Sequence, residues 1–197
     1  MTRLKPMDEP DPIRPWPVLK SERGQSLGIF QPRWDHVQNP RNGHPMRALV
    51  LEAPQWVNVV ARDEAGSFLL VRQWRFGIQA PSLEIPGGAV NRGEEPLAAG
   101  KRELLEETGC EATSWTALGS VSPNPAIHDN RCFHFLAEGV KQVAELNQDP
   151  GEDLESVWLT ETELLAKITE QTLDHALALS ALARVIDLRV TDPGQGD

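Results

Sequence analysis

The sequence predicts an α/β protein in which helices cover a mixed β-sheet and a β-hairpin precedes that sheet. Short runs rich in β-branched and aromatic residues recur along the 197 residues, and turn-forming residues separate them, which is typical of strands. One strongly acidic helical segment lies among these runs, and two further helical segments follow them. Strands that surround one helix, with other helices behind them, favour an α/β/α sandwich.

The N-terminal part differs in composition from the rest. Residues 1–24 are rich in proline and charge, and we expect them to be extended or partly disordered. Residues 25–54 contain two strand-like runs around Arg41-Asn42-Gly43-His44, in which Asn-Gly is a strong hairpin signal. Because a lone hairpin is only marginally stable in water, this one requires the main domain or a second copy of the chain as its partner.

Residues 55–190 form the predicted main domain, and residues 191–197 a polar tail. Asp63–Gly66 has the composition of a hairpin turn. Pro86-Gly87-Gly88 lets the backbone approach a ligand before the chain enters the acidic helix. The predicted strands are 55–62, 67–74, 82–85, 114–121, 131–138 and 154–159, and the predicted C-terminal helices are 161–170 and 173–188.

The acidic helix lies within residues 88–110 and carries three carboxylates on one face. Glu103, Glu106 and Glu107 are spaced i, i+3 and i+4, which brings them together. Like charges at this spacing repel by about 0.2–0.5 kcal/mol per pair, so the cluster indicates a bound divalent cation. The structural alternative is an acidic, solvated helix face, which is the usual meaning of a charge run.

Other residues of this segment predict where the helix begins, ends and packs. Pro96 suits the first turn, and Thr108-Gly109 supplies a stop. Apolar residues opposite the carboxylates are expected to face the core. They are Leu97, Ala98, Leu104 and Leu105.

Composition and charge argue against several classes of protein. A net charge of −10 and a pI near 5.0 argue against nucleic acid as a partner. Cys110 and Cys132 lack CxxC spacing, which indicates a reducing compartment and no zinc site. No apolar run approaches the length of a membrane span, and the N-terminus does not resemble a signal peptide, so we expect a cytoplasmic protein without a membrane partner.

The acidic segment resembles the signature of the Nudix hydrolases, G-x5-E-x7-R-E-U-x-E-E-x-G-U, in which U is a bulky aliphatic residue. Cys110 stands at the final U and is the one departure, although a buried cysteine often packs as a small apolar residue. The matching residues are Gly88, Glu94, Arg102, Glu103, Leu104, Glu106, Glu107 and Gly109.

Segments outside this signature are similar to the branch that contains ADP-ribose pyrophosphatases and nucleoside diphosphate sugar hydrolases. These segments are VRQWRFG, SLEIPGG, SPNPAIHDN, FHFLAEG and GEDLESVWL. The resemblance implies a Nudix-type α/β/α sandwich that hydrolyses the diphosphate linkage of ADP-ribose or a related nucleotide sugar to a nucleoside monophosphate and a sugar phosphate. The alternatives are a Nudix hydrolase for another nucleotide, such as a dinucleoside polyphosphate or a modified nucleoside triphosphate, and a non-catalytic ADP-ribose sensor.

The resemblance also implies a metal centre, for which Mg²⁺ or Mn²⁺ is expected because carboxylates are hard oxygen donors. Arg102 is expected to form an ion pair that orients the glutamates. The metal ligands implied are the Gly87 carbonyl, Glu103, Glu106, Glu107 and Glu152, and the catalytic set is Arg102, Glu106, Glu107 and Glu152.

The general base stays open. Related enzymes carry it on an acidic loop, here residues 147–153, where Glu152 matches a metal-contacting position. Pro150 stands where a catalytic glutamate is expected and cannot take a proton. The remaining candidates are Glu152 itself, Asp149, Asp153, Glu155 and Glu106.

The substrate-binding candidates come from several segments. Arg75 suits a phosphate because a guanidinium binds it through two hydrogen bonds, although an ordinary surface arginine is the alternative. Trp34 and Trp56 could stack on a base or simply pack in a core or interface. The other candidates are Asn124, Pro125 and His128. The family commonly exchanges the N-terminal hairpin between subunits, which implies a homodimer with residues 25–54 as its dimerisation element.

Overall fold

The computed structural model describes residues 13–145 and 153–189, and the chain divides into two units. The first unit contains residues up to Ala53 together with Ala126–Asp129. The second contains Pro54–Pro125 and the chain from Asn130 onward. The acidic helix and the strands around it belong to the second unit.

The first unit is a three-stranded antiparallel sheet in which the central strand is the first strand of the predicted hairpin. Gly43 turns the chain between the second and third strands with φ +72°, a conformation that favours glycine. A further strand comes from the proline-rich segment and pairs along the other edge. The strands are β1 (Val18–Arg23), β2 (Gln31–Gln38) and β3 (Pro45–Glu52).

The second unit is built on a seven-stranded sheet. Its strands are β4 (Trp56–Arg62), β5 (Phe68–Arg75), β6 (Ala80–Glu84), β7 (Gly87–Ala89), β9 (Ser114–Val121), β10 (Cys132–Glu138) and β12 (Leu154–Leu159), and a separate pair comprises β8 (Cys110–Glu111) and β11 (Lys141–Gln142). The helices are α1 (Pro96–Thr108), α2 (Glu161–Thr169) and α3 (Ala176–Leu182).

The sheet is mixed, as the sequence predicts. Its strand order is β12-β5-β4-β10-β9, with β6 paired to β5 and β7 paired to β4. Strand β10 runs parallel to β4, whereas the other pairs are antiparallel. The parallel pair lies at the centre, where β4 is buried along most of its length.

Helices pack on both faces of this sheet. Successive side chains of a strand point to opposite faces. Val59 of β4 therefore packs with Leu104 of α1, while its neighbour Val60 packs with Leu164 of α2 and Leu182 of α3. This arrangement confirms the predicted α/β/α sandwich.

The predicted core face of α1 is partly wrong. Leu104 is fully buried, but Leu97 and Leu105 are 38% and 36% exposed. The buried face instead contains Ala99 and Gly100 at the positions nearest the sheet. Small residues at these positions let the helix approach β4 and β10 closely. The prediction relied on the larger apolar residues, and it therefore placed the buried face on a different side of the helix.

The C-terminal helices differ in how well the sequence predicts them. Helix α2 begins at the expected position, where the Thr160 side chain and Glu163 form a reciprocal cap. Helix α3 is much shorter than the predicted 173–188, because His175 has extended backbone and residues after Leu182 continue as turns. Within the described ranges, the structure contains no helix long and apolar enough to cross a membrane.

Both cysteines are buried thiols. Cys110 packs in the core beside Leu104 and Val140, so it takes the place of the bulky aliphatic residue in the signature. Burial raises the pKa of Cys132 to about 12, which keeps this thiol protonated at neutral pH.

Two neighbouring leucines of α1 test this packing. We expect Leu104→Ala to lower the free energy of unfolding by about 2–5 kcal/mol, because it leaves a cavity in the core. Leu105→Ala removes the same atoms from an exposed position and should change it by less than about 1 kcal/mol. Urea unfolding of the two variants measures the difference, and equal losses would contradict the observed orientation of α1.

His134 makes the fold sensitive to acid. It is fully buried in β10, and burial, assisted by the charge of Arg184, lowers its pKa to about 4. An unfolded histidine binds a proton below about pH 6.5, so stability should fall by up to about 3 kcal/mol between pH 6.5 and pH 4. His134→Leu should reduce this pH dependence in chemical unfolding, and His44→Leu, at an exposed position, should leave it unchanged.

Candidate active site

The two ends of α1 fix the position of its carboxylates. Pro96 occupies the first turn, where an N–H is not required. At the other end Gly109 adopts a left-handed conformation, and its N–H donates to the Leu105 carbonyl. The helix therefore begins and ends where the sequence predicts.

Glu107 lies on the buried side of α1, with 6% of its surface exposed. Its Oε2 accepts a hydrogen bond from the Gly87 N–H at 2.9 Å. Gly87 belongs to β7, which pairs with β4, so this bond joins the helix to the sheet. A buried carboxylate is costly unless it is hydrogen-bonded, and this contact meets part of that need.

Glu103 lies directly against Gly88. A Cβ atom placed on Gly88 would be 2.7 Å from Glu103 Oε2, which is too close for a non-bonded contact. The absence of a side chain at Gly88 therefore lets the Glu103 carboxylate lie against the backbone of β7. Consecutive turns of α1 thus bring the carboxylates of Glu103 and Glu107 to the two consecutive glycines of β7.

Arg102 connects three carboxylates and one carbonyl. Its Nη1 donates to Glu103 Oε1 at 2.8 Å and to Glu106 Oε2 at 2.9 Å. Its Nε donates to Glu94 Oε1 at 3.0 Å, and its Nη2 donates to the Ala89 carbonyl at 2.9 Å. These hydrogen bonds, above all those that Arg102 donates to Glu94, raise the pKa of Arg102, so the guanidinium remains charged.

The three glutamates of α1 differ in environment. Glu107 is buried and bound by a backbone amide, Glu103 is mostly buried beside Gly88, and the side chain of Glu106 is 49% exposed. Across the described ranges, no three acidic, histidine or cysteine side chains converge as a complete metal cage. Mg²⁺ needs only one or two carboxylates when phosphates and water complete its shell, so the pair formed by Glu103 and Glu107 suits such an ion.

Arg75 forms a bidentate ion pair with Glu84 at distances of 2.7 and 2.8 Å. Burial alone would raise the pKa of Glu84. The hydrogen bonds that Arg75 donates and the electrostatic effect of the nearby His175 outweigh burial, so this pKa lies below its usual value. Glu84 is therefore a buried carboxylate that stays charged. We did not predict its role, although a glutamate within the strand-like run SLEI is a signal of a buried, paired charge.

The other predicted substrate residues lie in different parts of the chain. Trp56 is half-buried at the start of β4, opposite Ala89 of β7. Asn124 and Pro125 lie in an exposed turn of the second unit.

Trp34 and His128 belong to the first unit. The guanidinium of Arg47 lies 4.4 Å from the Trp34 ring centre, and the His128 ring lies 5.4 Å from that of Phe30. Each aromatic side chain therefore has a packing partner within its own unit.

The candidates for the general base are only partly described. Glu152, Asp149 and Pro150 lie outside the described residues. Glu155 is paired with Arg72 across β12 and β5, on the sheet face that α2 and α3 cover. Because α1 packs on the opposite face, this position does not favour Glu155 as the base.

Comparisons with known proteins show what the chain is similar to. Residues 54–180 match the NUDIX domain model. The chain is 30% identical over 148 residues to an ADP-ribose pyrophosphatase of Bacillus subtilis (strain 168), covering 75% of this chain and 74% of that protein. It is 31% identical over 161 residues to a methanol dehydrogenase activator of Bacillus methanolicus, covering 79% and 84%. A crystal structure of an ADP compounds hydrolase superposes with a TM-score of 0.77 at 21% identity, covering 89% of this chain and 95% of that one, and so shares its fold.

The two glycines of β7 should respond differently to a methyl group. In Gly88→Ala the new atom meets the flexible end of Glu103, so we expect a folded protein whose Glu103 carboxylate is displaced and whose Mg²⁺ affinity falls at least about 10-fold. In Gly87→Ala it meets the backbone of Val57, so we expect a lower unfolding temperature. Calorimetric titration with Mg²⁺ and thermal unfolding measure the two effects. Unchanged Mg²⁺ affinity in Gly88→Ala would contradict this account.

Proposed function

The chain belongs to the NUDIX family, and on this premise we propose that it hydrolyses the diphosphate linkage of ADP-ribose or a related nucleotide sugar. The products would be a nucleoside monophosphate and a sugar phosphate. The observation that carries the proposal is the placement of Glu103 and Glu107 against Gly87 and Gly88, with Arg102 holding the neighbouring carboxylates. Similarity to an ADP-ribose pyrophosphatase over three quarters of the chain supports this choice of substrate.

A divalent cation, Mg²⁺ or Mn²⁺, is part of this proposal. Glu103 and Glu107 would hold it, together with the Gly87 carbonyl. Glu106 would contribute directly or through water, and Glu152 would contribute from the acidic loop. When bound, the cation neutralises phosphate charge and lowers the pKa of the attacking water.

The side chains of the protein position the reacting groups. Arg102 orients Glu103 and Glu106 through hydrogen bonds of 2.8 and 2.9 Å, and it reduces the repulsion between them. Arg75 offers its charged guanidinium to the diphosphate from a side chain that is 46% exposed. Glu106 and Glu152 are the proposed groups that accept the proton of the attacking water.

Binding of the nucleoside is proposed to involve aromatic and polar side chains. Trp34 or Trp56 would stack on the base, and the remaining contacts would come from Asn124, Pro125 and His128. We also propose a homodimer in which residues 25–54 contact the second copy. The net charge of −10 makes nucleic acid an unsuitable partner.

Turnover of nucleotide sugars by a Glu107 variant tests the proposal. The wild type should hydrolyse ADP-ribose in the presence of Mg²⁺, and Glu107→Gln should lower kcat/KM by about 100-fold or more because it removes a negatively charged ligand of the proposed cation. The glutamine keeps an oxygen that can accept the Gly87 N–H, so folding should persist. Glu111→Gln, at an exposed position just beyond α1, is the matched control and should retain full activity.

The measurement is phosphate release through a coupled phosphatase, with ADP-ribose, ADP-glucose, GDP-mannose, UDP-glucose and nucleoside triphosphates as substrates. Preference for a triphosphate would favour the Nudix hydrolase for another nucleotide. If the protein binds ADP-ribose but turns over none of these compounds, the proposal of a hydrolase fails and the non-catalytic ADP-ribose sensor takes its place.

A further inference from the structure

The ion pair between Arg75 and Glu84 joins the ends of two strands in the second unit. Arg75 is the last residue of β5, and Glu84 is the last residue of β6. The Arg75 Nε donates to Glu84 Oε1 at 2.7 Å, and its Nη2 donates to Oε2 at 2.8 Å. One edge of the guanidinium thus bonds both carboxylate oxygens, which fixes its orientation as well as its position.

The burial of Glu84 in this pair is difficult to explain by stability. Glu84 is only 2% exposed. Removing a carboxylate from water is costly, and a buried ion pair is often no more stabilising than apolar residues of the same volume. A fixed guanidinium is useful, however, where the protein binds an anion, because less conformational entropy is lost on binding.

Two other groups lie near the Glu84 carboxylate. His175 Nδ1, from the residue that precedes α3, lies 3.6 Å from Oε2, which is too long for a hydrogen bond. Ser82, two residues earlier in β6, helps to lower the pKa of Glu84. Glu84 is thus flanked by a residue of its own strand and by one from the C-terminal part of the chain, and its hydrogen bonds to Arg75 are the contacts that fix the pair.

A short segment connects Glu84 to the carboxylates of α1. Gly87 follows three residues later and donates its N–H to Glu107 at 2.9 Å. Ile85, between them, is 3% exposed and packs in the core, which limits movement of the segment. One four-residue stretch therefore holds both the anchor of Arg75 and the backbone partner of Glu107.

We propose that Glu84 is a positioning residue that presents the Arg75 guanidinium in a fixed orientation to the diphosphate of the substrate. This inference rests on the proposed function. It assigns to Glu84 a role that acts through Arg75 and not through contact with the reacting atoms. A change at Glu84 should then impair the same step as a change at Arg75.

A double-mutant cycle tests this role. Glu84→Gln, Arg75→Lys and the double variant are compared with the wild type by steady-state kinetics on ADP-ribose with Mg²⁺. Each single variant should lower kcat/KM by about 10-fold, and the double variant should be within about 2-fold of the weaker single one, because the two residues act as a unit. Glu138→Gln removes the carboxylate partner of Arg62 elsewhere in the second unit and should remain within about 2-fold of the wild type.

Two outcomes would overturn the inference. If the losses of kcat/KM in the two single variants multiply in the double variant, Glu84 does not act through Arg75. The same conclusion follows if Glu84→Gln has the kcat/KM of the wild type. Thermal unfolding of every variant identifies loss of folding. If Glu84→Gln does not fold, Glu84→Asp replaces it. The shorter aspartate keeps the negative charge but places the carboxylate farther from the Arg75 guanidinium.

The failure of the proposed function is distinguishable from the failure of this inference. If the wild type hydrolyses none of the substrates, the proposed function fails, and calorimetric Kd values for ADP-ribose are measured with the same four proteins. A shared, non-additive loss of affinity would still support the role of Glu84. Unchanged affinity in Glu84→Gln, or a wild type that does not bind ADP-ribose, would reject it.

Discussion

The candidate site depends on the hydrogen bonds of one guanidinium. Arg102 joins Glu94 before α1, Glu103 and Glu106 within it, and the Ala89 carbonyl of β7. Without this cation, the carboxylates would repel one another and lose their common orientation. A lysine could supply the charge but not the fixed, planar arrangement of donors that serves four groups at once. Arg102 therefore contributes geometry as well as charge.

Close approach between helix and sheet is the second constraint. Gly100 brings α1 near Val59 and Phe135, and Gly88 leaves room for the carboxylate of Glu103. A side chain at Gly88 would occupy the space of this carboxylate, whereas one at Gly87 would meet the backbone of β4, so Gly87 contributes its N–H to Glu107 while it pairs closely with that strand. The glycines and glutamates of the signature thus form one packing arrangement, in which the helix supplies the charges and the strand supplies the space.

The second unit also retains buried polar groups that do not favour stability by themselves. Glu107 and Glu84 are buried carboxylates, and each is satisfied by specific donors. His134 is buried, finds no hydrogen-bond partner for either ring nitrogen among the described residues, and has a lowered pKa. Burial of such groups carries a desolvation cost, which the apolar packing on both faces of the sheet must offset. For the two glutamates, the resulting fixed geometry lies beside the proposed reaction centre.

The sequence by itself determined the sheet, the position of α1 and the set of residues in its acidic signature, because period, caps and spacing are local properties of the chain. It did not determine which face of α1 is buried, since Ala99 and Gly100 pack closely whereas the larger Leu97 and Leu105 are exposed. Nor did it reveal that Glu84 holds Arg75, nine residues away. Tertiary structure decided these points, because they depend on how closely separate elements approach and on which charges share a site without water.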